Sequence, residues 1–204
     1  KVEYIEKGLA IKEIEIKDLD NFDTAPFFVE AVNRAQTAEE MSRALINLEA
    51  KMDKTDFTNL PKADKLIVAQ RVLEIRNEQE GIKGIPNTAG KFFGEEDKLD
   101  ASVIFGDNGV ANKVIAARDT ILDNVNGVAD NADTNEVKIS DIIEALETTM
   151  GEGDDAKPFF PEFAKLSPAD KADVAEAVLN KLEELKADEK EFKTVAEIKA
   201  AAGL

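Results

Sequence analysis

One stretch of this chain occurs twice. Phe57, Leu60, Ala63, Asp64, Lys65, Val68, Ala69, Val72 and Leu73 return as Phe163, Leu166, Ala169, Asp170, Lys171, Val174, Ala175, Val178 and Leu179, each match 106 positions further on. Nine of the seventeen positions in 57–73 are identical in 163–179. A hydrophobic pattern common to any two helices would match residue classes, but it would not reproduce the Ala-Asp-Lys triplet. Upstream, Ala44-Leu45 corresponds to Ala145-Leu146 and Val32-Asn33 to Val125-Asn126. The interval from Val32 to Phe57 is 25 residues and from Val125 to Phe163 is 38, so the second copy carries 13 more residues in two loops. The shared pattern has a packing logic. Phe anchors a turn, Leu tucks under the next helix start, and Asp faces the positive end of the helix dipole. Apolar positions at i, i+4 and i+7 then meet a core. One copy alone holds about three helices and little core, so two copies are expected to pack together or against further copies.

The remaining helices are read from caps and periodicity. Asp23 or Thr24 caps a helix with Pro26 in its first turn, and Phe28, Ala31, Val32 and Ala35 line one face. Thr37-Ala38-Glu39-Glu40 is a capping box ahead of the stripe Met41, Ala44, Leu45, Leu48 and Met52. Residues 92–110 read as loop, and a helix resumes with Val114, Ile121, Leu122 and Val125. Asn126 to Asn135 is polar and turn-like, and Ile139, Ile142, Ile143, Leu146 and Met150 mark another helix beginning near Lys138. Ser167-Pro168 opens a long helix. Thr194-Val195-Ala196-Glu197 is a second capping box, and Gly203 stands at a C-cap position.

The first twenty residues differ in character. Ile14 and Ile16 alternate with charges, and Leu9 and Ile11 do so in the opposite parity. A continuous strand would therefore need a bulge near Lys12. An isolated strand is marginal in water, so such an arm is expected to pair with a preceding domain or a neighbouring molecule's edge, the alternative being that it pairs locally or belongs to a helix. The fold class is mainly α: two diverged helical repeat modules preceded by a short β-like N-terminal arm. The boundaries are 1–20 for the arm, 21–95 for the first module and 96–204 for the second, which carries acidic loop insertions.

Composition removes whole classes of chemistry. There is no Cys, which excludes disulfides, thiolate nucleophiles and thiolate metal sites. There is no His, which excludes imidazole bases and imidazole ligands. With 43 acidic and 26 basic side chains the net charge is −17, which repels nucleic acid and anionic membranes. No run approaches the ~20 apolar residues of a membrane span, so no membrane insertion is expected. The chain opens on Lys1 without a secretory leader and reads as a processed chain or part of a longer one.

The set Ala31-Val32-Asn33, Thr37-Ala38, Glu40-Met41, Ala44-Leu45, Phe57, Leu60, Ala63-Asp64-Lys65, Val68-Ala69, Val72-Leu73 and Arg76 resembles the helical repeat modules of large exported Firmicute surface proteins of the S-layer type. The second copy keeps Phe163 to Leu179 and then Phe192, Val195, Ala196 and Ile198, which resembles the closing helix of such modules. It departs by lacking the Thr-Ala-x-Glu-Met box and by its insertions. The resemblance implies a structural role at a secreted, cell-surface location.

Carboxylates are the only abundant chemical groups. No spacing singles out a converging general acid and base, so no enzyme activity is expected. Calcium is the better match, because hard cations take oxygen ligands. Asp130, Asp133, Asn135 and Asp141 cluster, and Asp133-x-Asn135 has the alternate-residue spacing of a calcium loop. The Gly and terminal Glu of an EF-hand are missing. Asp154-Asp155 and Gly106-Asp107-Asn108-Gly109 are weaker candidates. The doublets Phe27-Phe28, Phe92-Phe93 and Phe159-Phe160 cannot put both rings on one face of a regular element, so one ring of each is expected at the surface. The function these readings favour is a structural component of an extracellular surface layer or filament. It would self-associate with like subunits through the arm and the modules. A surface-displayed binding module for carbohydrate or a protein partner is the alternative.

Overall fold

The computed structural model describes residues 2–6, 10–14, 24–83, 85–128, 134–151, 153 and 156–204. The chain is mainly helical and divides into two compact units, Lys1–Asn112 and Lys113–Leu204.

The first unit opens with strands β1 (Val2–Glu6) and β2 (Ala10–Ile14), which pair antiparallel with Val2 opposite Ile14 and Glu6 opposite Ala10. The strands therefore pair with each other, not as one run bulged near Lys12. The parity change near Lys12 falls inside β2, between Ile11 and Ile14. Ile16 lies outside the described residues.

Helix α1 (Ala25–Arg34) buries Val29, Val32 and Asn33, while Ala31 is exposed. The expected face of Phe28, Ala31, Val32 and Ala35 is thus rotated toward Asn33, whose side chain has a buried backbone partner described below. Helix α2 (Ala38–Lys51) buries the expected Met41, Ala44, Leu45 and Leu48. Thr37 Oγ1 accepts from Glu40 N at 3.2 Å, and Glu40 reaches back to Gln36 N at 2.8 Å. Helix α3 (Lys62–Asn77) buries Val68, Ala69, Val72 and Leu73 against α2. Beyond it, α4 (Ser102–Phe105) interrupts the stretch read as loop and buries Ile104 and Phe105. Lys54 Nζ donates to Phe105 O at 2.5 Å, and Asn112 Nδ2 donates to the same oxygen at 3.2 Å. The Lys54 bond ties Phe105 to the segment after α2, and the division between the units falls after Asn112, later in the chain than residue 95.

That division falls inside α5 (Val110–Val128). The helix runs through Asn126 and Gly127, which the polar composition had suggested were turn. In the second unit α6 (Asn135–Leu146) begins three residues before Lys138 and buries Ile142, Ala145 and Leu146. Met150 does not extend that helix. It lies in β3 (Thr149–Met150), paired antiparallel with β4 (Lys157–Pro158). Gly151, at φ 86°, leaves the strand in a conformation that a side chain would strain.

Next come α7 (Pro161–Ala164), α8 (Pro168–Ala187) and α9 (Val195–Ala202). Helix α8 packs on both α6 and α9. Ser167 Oγ accepts from Asp170 N at 3.2 Å, Thr194 and Glu197 complete a capping box, and Gly203 closes α9 at φ 68°. Phe159 and Phe160 are both fully buried, with ring centroids 5.0 Å apart at 86°. This corrects the expectation of one exposed ring. The doublet sits where β4 turns into α7, and that bend directs both rings inward, edge to face.

Candidate functional site

Of the four residues proposed for calcium, Asp130 and Asp133 lie outside the described residues. Asn135 and Asp141 are the first and seventh residues of α6. Six residues of helix separate them by about 9 Å of rise and roughly 120° around the axis, so these two do not converge on one point. Asp154 and Asp155 also lie outside the described residues. Asp107 and Asn108 are exposed in a turn closed by Gly109 N donating to Gly106 O at 2.8 Å. Among the described residues, no three or more Asp or Glu side chains gather around a common point. No helix among them is long and apolar enough to cross a membrane.

The polar groups that do converge are buried or half-buried and bind mainly backbone. Asn33 is 5% exposed and Phe92 is 1% exposed. Asn33 Nδ2 donates to Phe92 O at 3.1 Å, and Phe92 N donates to Asn33 Oδ1 at 2.8 Å. In the other unit Asn126 Nδ2 donates to Phe192 O at 3.0 Å, and Phe192 N donates to Asn126 Oδ1 at 3.0 Å. A carboxamide presents one acceptor and one donor side by side, so it satisfies both polar groups of a single extended residue.

Glu49 is fully buried at the end of α2. Its carboxylate accepts from Phe57 N at 2.6 Å, Thr58 N at 2.7 Å and Thr58 Oγ1 at 2.6 Å. It thereby holds the turn that seats Phe57. Arg76 is 3% exposed, and its Nη1 donates to Ala35 O at 2.6 Å, Val32 O at 2.8 Å and Asn33 O at 3.1 Å. These carbonyls lie at the C-terminus of α1, where intrahelical partners run out, and Val32 O accepts from Ala35 N as well. Burial lowers the Arg76 pKa below its ordinary value. Arg76 appears in the sequence pattern without a role, and Glu49 is visible there only as a charge one turn beyond Leu45 on an apolar stripe.

A groove of about 550 Å³ lies between the end of α8 and α9. Leu185, Phe192, Ala200 and Ala201 form its apolar surface, and Lys181, Lys190 and Lys193 stand around its rim. Comparison with family models, curated proteins and solved structures finds no match to this chain.

Proposed function

We propose that the chain is a structural segment built from two copies of one helical module, acting as a rigid spacer in a self-associating assembly at a cell surface. The observation that carries this reading is the reciprocal Asn–Phe pairing, which occurs once in each unit with the same atoms and nearly the same lengths. Asn33 and Asn126 are the two asparagines that the sequence correspondence aligns. The helix starts at Lys62 and Pro168 also stand 106 positions apart, matching the offset of the repeated residues. Divergence is visible at Arg76, whose counterpart at that offset is Leu182 in α8.

In this reading the buried polar side chains serve shape. Contacts with like subunits come from the N-terminal hairpin and from surface apolar residues such as Phe27, which is 40% exposed. Calcium at the 130–141 segment would stiffen the connection into α6, and no step of catalysis is required. The test is electron microscopy of the purified chain with and without Ca²⁺, beside a chain lacking residues 1–20. Ordered polymers or sheets that the deletion abolishes are expected. A chain that stays monomeric at high concentration under both conditions would remove self-assembly from the account.

A further inference from the structure

We infer that Asn126-Gly127 is a self-modification site, a pair that the fold keeps intact and that converts to aspartate once the second unit opens. The inference requires neither the duplication nor the assembly proposed above. The sequence holds two Asn-Gly pairs, Asn108-Gly109 and Asn126-Gly127. Such a pair is the least hindered setting for ring closure by the main chain, because glycine adds no side chain beside the attacking nitrogen. Gly127 N gives up its proton to solvent base and bonds to Asn126 Cγ, and the Cγ–Nδ2 bond breaks to release ammonia. Water then opens the cyclic imide. Cleavage between the nitrogen and Cγ yields aspartate. Cleavage between the nitrogen and the main-chain carbonyl carbon yields isoaspartate, whose chain runs through the side-chain carbons.

Two features of the fold block the first step. Helix α5 runs through both residues, and its ψ of about −42° holds Gly127 N away from the position over Cγ that ring closure needs. The carboxamide is also anchored, with Nδ2 donating to Phe192 O at 3.0 Å and Oδ1 accepting from Phe192 N at 3.0 Å. Turning Cγ toward Gly127 N would break both bonds. Opening of the unit removes both restraints together. Packing among the described residues does not demand glycine at 127, which is exposed and where a Cβ would meet nothing within 4 Å. At Gly109, by contrast, a Cβ would come within 2.5 Å of Ile104 O, so close packing fixes that glycine. Asn33, which makes the same latch in the first unit, is followed by Arg34, so the reactive pair belongs to the second latch alone. The product cannot latch again. Aspartate turns a second oxygen toward Phe192 O in place of a donor, and isoaspartate redirects the backbone. Conversion is therefore a permanent record that the unit has opened, and it frees the segment leading into α9.

The experiment ages the whole chain in mildly alkaline buffer, with and without urea above its unfolding midpoint. Peptide mass spectrometry follows amide-to-acid conversion at Asn33, Asn108 and Asn126. In urea, Asn108 and Asn126 are expected to convert alike and Asn33 much more slowly. Without urea, Asn126 should convert at least about tenfold more slowly than in urea, since only the opened fraction reacts. Gly127→Ala should remove most of the conversion in urea and leave the fold intact, because α5 has room for the methyl group. Asn126→Asp, which makes the product directly, should lower the urea midpoint. Equal rates at Asn126 with and without urea would overturn the inference, as would conversion in urea no faster than at Asn33. So would an Asn126→Asp chain as stable as the parent. The ageing measurement uses the unaltered chain, so its outcome stands even if Asn126→Asp fails to fold.

Discussion

Replacing Asn33 by Ala isolates one side chain that ties together two distant parts of the first unit. The substitution strips partners from Phe92 N–H and Phe92 C=O, both in a residue that is 1% exposed. Each orphaned buried group costs about 1–3 kcal/mol, so the gross loss is about 2–6 kcal/mol. Removing the carboxamide also spares its own desolvation, which leaves a net loss of about 2–4 kcal/mol. Asn126→Ala removes bonds of similar length, but Asn126 is half-buried and water can replace it, so the loss there is about 1 kcal/mol. Urea unfolding followed by circular dichroism reads both. With a slope near 1.5 kcal/mol/M, Asn33→Ala lowers the midpoint of its unit by about 1.5–2.5 M.

Asn33→Asp adds a control on charge. It keeps the acceptor for Phe92 N but turns an oxygen toward Phe92 O. Burial and that carbonyl disfavour the ionised form, so the folded-state pKa lies above the unfolded one. The variant's stability is then fully present below the unfolded carboxylate pKa and is lost as pH rises through the folded one. Loss of less than about 0.5 kcal/mol in Asn33→Ala, or a larger loss in Asn126→Ala, would refute the reasoning.

Glu49→Gln keeps the size of the side chain but places an amide N–H against a backbone donor at Phe57 or Thr58. A loss of about 1–3 kcal/mol is expected, read as a drop in Tm of roughly 5–15 °C, and an unchanged Tm would argue that water shares this site. Phe163→Ala, at a fully buried ring, should cost about 3–5 kcal/mol, while Phe27→Ala at the surface should stay within about 0.5 kcal/mol of the parent. Calcium held by the 130–141 segment should add about 2.7 kcal/mol at a hundredfold excess over Kd, reversed by chelator and abolished by Asp133→Ala. A melting curve indifferent to Ca²⁺ removes the metal from the proposal.

What could be read from the sequence was local. The caps at Thr37, Ser167 and Thr194 are written in residues three apart, and the structure places all three where that chemistry puts them. The apolar stripe from Met41 to Leu48 was equally plain, because its period is that of one helix. Asn33 was not legible as a core residue, since its partner lies 59 residues away and nothing near it in the chain announces the pairing. The same holds for Asn126, where polar neighbours suggested a turn although the helix continues past it. Met150 fits a helical period, but its backbone pairs with Lys157 across a hairpin, and periodicity carries no record of that bond. Among the calcium candidates, Asn135 and Asp141 diverge around one helix, which their closeness in sequence alone did not reveal.

The two asparagines also determine where this chain can be cut. Each joins residues 59 or 66 positions apart, so one side chain fastens the start of a unit to the segment beyond its long helix. Closing so large a loop is entropically costly until the intervening helices have formed, which puts this fastening late in folding. A truncated fragment ending just short of Phe92 or Phe192 would contain every helix named up to that point and still lack its final latch. Expression fragments meant to stand alone therefore need to extend past these phenylalanines, and their protease resistance should rise abruptly as the end point crosses each one.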